Sequence, residues 1–81
     1  MQVERFYQAR QAEWQELARL LDRGQQSMRQ LSPDEVQALS RLYRAATSDL
    51  ALAQRDFPNQ RVTTYLNQLV ARGHALIYRD E

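Results

Sequence analysis

His74 is the only imidazole among the 81 residues, and no cysteine accompanies it. A helical imidazole becomes a metal ligand when a carboxylate stands three residues before it, with the same motif repeated on a facing helix. Position 71 is Ala. No Gly-rich phosphate loop or nucleophile elbow is present. The hydroxyls of Ser32, Thr47, Ser48, Thr63 and Thr64 fall where helix caps and helix-surface groups are expected. The residue types and their spacing therefore point to a non-enzymatic chain with no metal and no cofactor.

Charged and aromatic side chains offer binding chemistry instead. Arg10 falls in the middle of the first apolar arc, with Glu13 at the arc's edge. A buried guanidinium must be paired. Glu13 and Asp49 are the acidic candidates, near the ring hydroxyls of Tyr43 or Tyr65; the alternative is a ligand or partner carboxylate docking on Arg10. Trp14, Tyr7, Tyr43 and Tyr65 lie on or beside apolar seams and read as core. Tyr78 shares an offset flank with Asn67, Ala71 and His74, which is either a polar edge of the core or a contact surface. On the opposite flank Arg61, Gln68, Arg72 and Arg79 form a stripe suited to an anionic surface, lipid headgroups before nucleic acid. All 11 basic residues are arginine, and 10 acidic residues leave a net charge of only +1. With a sequence pI near 8.2, a nucleic-acid partner is not expected.

Three helical segments must position these groups, over residues 3–23, 33–56 and 60–78. In the first, Val3, Phe6, Tyr7, Arg10, Trp14, Leu17 and Leu21 recur at three- and four-residue steps and share one face. Gly24 is expected to end it in the left-handed conformation. Ser32-Pro33-Asp34-Glu35 then reads as a capping box with proline at the first helical position. Behind it Val36, Leu39, Tyr43, Ala46, Leu50, Ala53 and Phe57 form a seam, and Ala38, Ala45 and Leu52 leave a thin apolar strip on the outer side. Pro58 breaks the pattern, Asn59 is expected to cap the third helix, and Val62, Leu66, Leu69, Gly73 and Leu76 form its seam. Gly73 inside that seam predicts a close helix–helix approach.

Two short connections make consecutive helices antiparallel, so the fold expected is a single all-α domain, an up-down-up three-helix bundle. A core of this size is marginal, and a protein partner or a second copy would support it. The apolar runs are far shorter than the ~20 residues of a membrane span, and residues 1–6 carry no signal-peptide pattern. Leu76-Ile77-Tyr78 runs into Arg79-Asp80-Glu81 without a terminator, and acidic residues oppose that end of the dipole, so the chain is expected to continue.

Three blocks resemble the N-terminal region of the stage II sporulation protein M family. They are Phe6 to Leu21, with an Arg and a Trp four apart before Leu-rich turns; Leu31 to Leu50, LSPDEVQALSRLYRAATSDL; and Tyr65 to Arg79, YLNQLVARGHALIYR. The matching positions are Arg10 and Trp14, Leu42-Tyr43-Arg44, Asp49, Tyr65-Leu66-Asn67 and His74. The chain differs from the family's namesake in being free of lysine and rich in arginine and glutamine. The resemblance implies a multi-pass protein of the bacterial cytoplasmic membrane, whose N-terminal segment precedes the first span on the cytoplasmic side. It also implies partners among membrane-complex components, since the namesake is the membrane scaffold of a peptidoglycan-hydrolase complex. It carries no catalytic assignment for any residue.

Overall fold

The capping box is the best-specified local feature, and it forms. In the computed structural model, which describes residues 2–78, Ser32 Oγ accepts from the Glu35 N–H at 3.1 Å and Glu35 Oε1 accepts from the Ser32 N–H at 2.9 Å. Two otherwise orphaned backbone donors are thereby satisfied at the start of α2, Pro33–Asp56. The Ser32 N–H, followed by the Arg23 guanidinium, holds the Glu35 carboxyl below the usual carboxylate range.

Helix α1, Val3–Gln26, runs past the glycine expected to stop it. Gly24 is buried within the helix, and no glycine among the described residues has positive φ. Its missing side chain serves packing instead. A Cβ at Gly24 would lie 2.9 Å from Leu76 Cδ2 and 3.2 Å from Met28 Sδ. Ser27, with extended φ of −167°, ends α1, and its Oγ accepts from the Arg29 N–H to open a 3₁₀ turn over Met28–Gln30. That turn places Leu31 in the core.

Helix α3 spans Arg61–Ile77, and its N-cap is Gln60 with no side-chain hydrogen bond, not Asn59. Thr63 supplies the anchor. Its Oγ1 donates to the Phe57 carbonyl at 2.6 Å, so this hydroxyl is a buried tie between α3 and the end of α2 and not a helix-surface group. The expected seam of α3 is buried in full: Val62, Leu66, Leu69, Gly73 and Leu76.

Cross-helix contacts fix the directions. Residues 10 and 14 meet 49, and 23 meets 35, so α1 and α2 are antiparallel. Thr63 meets Phe57, and Gly73 meets Tyr43, so α3 turns back along α2. The chain is an all-α, up-down-up three-helix bundle measuring 39 × 23 × 16 Å. Trp14, Leu17, Leu20, Leu21, Leu39 and Leu66 are its largest fully buried side chains, each contributing about 1.5–3 kcal/mol by leaving water. Each helix faces two neighbours, which widens the buried arc beyond one seam. Leu20 and Leu42 therefore join the core, while Val36 and Tyr7 lie exposed at its margin. Ala38 and Leu52, read from the sequence as an outer strip, are partly buried and pack against the core.

Candidate functional site

Arg10 is paired twice. Its Nε donates to Asp49 Oδ2 at 2.9 Å and its Nη1 to Glu13 Oε2 at 2.8 Å. The same Asp49 oxygen accepts the Trp14 indole N–H at 2.8 Å. One carboxylate of α2 therefore holds a cation and an indole that stand one turn apart on α1. These bonds, to Glu13 first and then to Asp49, keep the guanidinium's pKa above its ordinary value. The network is an internal clasp between α1 and α2. The Trp14–Asp49 bond is not foreseen in the sequence, because it depends on the axial register of two helices.

The two expected ring hydroxyls are elsewhere. Tyr43 lies over Gly73, where a Cβ would come within 2.5 Å of its Cδ1, so the close approach predicted at that glycine is between its backbone and this ring. Tyr65 lies against Trp14 with ring centroids 6.2 Å apart and makes no hydrogen bond to Arg10. His74 is exposed, with its ring 4.9 Å from that of Tyr78, which in turn meets Tyr43 at 6.3 Å. Of the positions singled out on the sequence, Arg10, Glu13 and Asp49 are brought together, and Tyr43 and His74 share a second cluster with Tyr78. Arg44, which donates to Ser40 Oγ at 2.9 Å, and Asn67 are exposed and join neither.

The arginine stripe is divided. Arg72 bridges to Asp22 and donates to Gln25 Oε1 at 3.1 Å, clasping α3 to α1. Arg61 is exposed and has no acidic partner among the described residues. Arg79 lies outside the described residues. Among those residues no group of three His, Cys, Asp or Glu side chains is placed to hold a metal ion.

What sequence reading misses is a groove between α1 and α3. Trp14 and Val62 line its base, Tyr7 and Tyr65 flank it, and Gln11, Gln15 and Arg61 complete it. It extends outward past Val3, Glu4, Gln8 and Gln60. Tyr7 and Tyr65, placed with the core in the sequence reading, are 45% and 39% exposed. Partial burial, with the Tyr7 phenol nearby, pushes the Tyr65 hydroxyl's pKa up, so it is a protonated donor at neutral pH. The available sequence signal was the i, i+7 spacing of Tyr7 and Trp14, but that spacing also describes a core seam.

Fold and surface together define an all-α three-helix domain with an internally closed polar network and an open aromatic groove. The chain belongs to the family described as a domain of unknown function, DUF8413, whose model matches residues 4–79. No curated protein and no solved structure matches it.

Proposed function

We propose that this domain is a non-enzymatic protein-association module and that the groove between α1 and α3 is its contact surface. One observation carries the reading: the partly buried cations Arg10, Arg23 and Arg72 are satisfied internally, whereas Tyr7 and Tyr65 stand half-exposed around Trp14. Aromatic side chains of this kind, joined by an arginine, are the residue types enriched at protein interfaces. The resemblance to the stage II sporulation protein M family supports placing the module on the cytoplasmic side of a bacterial membrane, as part of an integral membrane protein. No helix among the described residues is long and apolar enough to cross a membrane, so a span would have to lie in other residues.

Site-specific photo-crosslinking in the full-length protein tests both parts. A photoreactive residue replacing Tyr7 or Tyr65 is expected to give discrete adducts that fractionate with membranes. The same probe at Thr47, exposed on α2, is expected to give none. Equal labelling from all three positions, or none from any, defeats the association surface. Adducts found only in the soluble fraction defeat the membrane placement.

A further inference from the structure

The α1–α3 groove has a chemistry, a length and a charge that select among the peptides able to enter it. Trp14, 1% exposed, is the buried floor beneath the groove and offers no donor, because its indole N–H is already engaged by Asp49. Tyr7 and Tyr65 flank it with centroids 6.1 and 6.2 Å away and planes inclined by 59° and 49°, which forms an angular aromatic cradle. The phenols of Tyr7 and Tyr65 and the amides of Gln11 and Gln15 make no hydrogen bond to other described residues and are not buried without partners. A cradle of rings edged with free donors suits a chain whose carbonyls are free. A helix has engaged its carbonyls internally, whereas a polyproline II segment leaves all of them open and presents proline rings to aromatic surfaces.

Length favours the same occupant. On α1 the cradle runs from Tyr7 to Gln15, about 12 Å at 1.5 Å per residue. On α3 its wall is a single turn, Arg61 to Tyr65, and past Gln15 the Arg72 clasp to Asp22 and Gln25 ties the two helices together. A docking helix is read through anchors at i, i+3, i+4 and i+7, over two turns, for which a one-turn wall offers little, while four polyproline II residues at 3.1 Å each span about 12 Å. Arg61, exposed and without an acidic partner among the described residues, supplies the charge. Glu4 lines the outer extension together with Arg61 but makes no ion pair with it.

We propose that the groove binds a short polyproline II segment of a partner protein, its prolines seated between the exposed rings of Tyr7 and Tyr65, above the buried Trp14, and an adjacent carboxylate on Arg61. This rests on the reading of the domain as an association module and names the chemistry of its partner.

Trp14 is the only tryptophan, so its emission reports occupancy when the protein is titrated with a capped Pro-Pro-Pro-Pro-Asp peptide. A saturable change is expected. Replacing the peptide's Asp by Asn, or Arg61→Glu in the protein, is expected to weaken binding about three-fold, as for an exposed ion pair. Tyr7→Ala is expected to weaken it about ten-fold. Tyr65→Phe, which keeps the ring and the fold, is expected to weaken it measurably by removing one donor. Two results overturn the proposal: no saturable change at millimolar peptide with wild-type protein, or tighter binding of a capped amphipathic helical peptide. If the crosslinks at Tyr7 and Tyr65 persist in either case, the association surface stands and only the polyproline assignment fails.

Discussion

Asp49 is the residue on which the α1–α2 contact depends, because a single oxygen accepts both the Arg10 Nε and the Trp14 indole N–H. With 13% of its side chain exposed, against 25% for Arg10, it is the more buried member of the ion pair. Removing it leaves a partly buried cation with only Glu13 and a buried indole N–H with no acceptor, and such orphaned groups cost more than the bonds were worth. Asp49→Ala is therefore expected to lower the unfolding free energy by about 2 kcal/mol, and Asp49→Asn by about half of that, since the amide oxygen still serves Trp14. Urea denaturation followed by Trp14 fluorescence measures both. A loss for Asp49→Ala under about 0.5 kcal/mol, the level of a solvated surface pair, would show that the clasp contributes little. Glu13 was legible as a partner because i, i+3 pairing is local to one helix. The positions of Tyr43 and Tyr65 were not, because which neighbour a ring at the core edge meets, Gly73 for Tyr43 and Trp14 for Tyr65, depends on how the helices pack.

At the scale of the helix, the two glycines look alike in sequence and differ in what surrounds them. Gly73 was readable as a close approach because it interrupts an apolar seam, whereas Gly24 followed the last seam residue and had the pattern of a terminator. Only the return of α3 past α1 reveals that Leu76 lies against this position. The consequences of adding a methyl group differ too. At Gly24 the nearest atom is the terminal Cδ2 of Leu76, which can rotate away. Gly24→Ala should then recover part of the roughly 1 kcal/mol that glycine costs in a helix interior, since Gly24 stands in the last turn of α1. At Gly73 the new Cβ meets Tyr43 Cδ1 at 2.5 Å. That atom belongs to a rigid ring close to its own backbone, so the ring or the helix must move, an overpacking cost of about 1–3 kcal/mol that exceeds the propensity gain. Thermal unfolding of the two variants should shift in opposite directions, Gly24→Ala upward and Gly73→Ala downward. Tyr43→Ala should relieve part of the second effect in the double variant. Shifts of the same sign in both glycine variants would mean that helix propensity, not packing, governs these positions. The capping box at Ser32 was legible without any of this, since all its atoms lie within four residues of sequence.

For the whole molecule, the topology followed from two short connections, but the groove did not, because α1 and α3 are not consecutive and no local pattern records how two distant helices face each other. The same geometry makes the domain a single cooperative unit. Each pair of helices has its own polar tie: Asp49 and Glu35 between α1 and α2, Thr63 between α2 and α3, and Arg72 with Asp22 between α1 and α3. None of these ties holds a pair alone, since helices in proteins owe most of their stability to the packing of an apolar face and not to propensity. Trp14 is 1% exposed, contacts Asp49 of α2 and Tyr65 of α3 from its place on α1, and so reports on all three helices at once. Thermal unfolding should therefore show one transition, with the loss of helical circular dichroism coinciding with the change in Trp14 emission. At about 0.7 kcal/mol per residue the calorimetric enthalpy should be about 50–60 kcal/mol and equal to the van't Hoff value. Emission changing several degrees before the dichroism would show α3 leaving a surviving α1–α2 hairpin. Cooperativity also links stability to the groove, because its two walls are aligned only while all three helices are assembled. A segment that binds there must raise the global midpoint as RT ln(1 + [L]/Kd), and a ligand that changed Trp14 emission without moving that midpoint would be binding elsewhere.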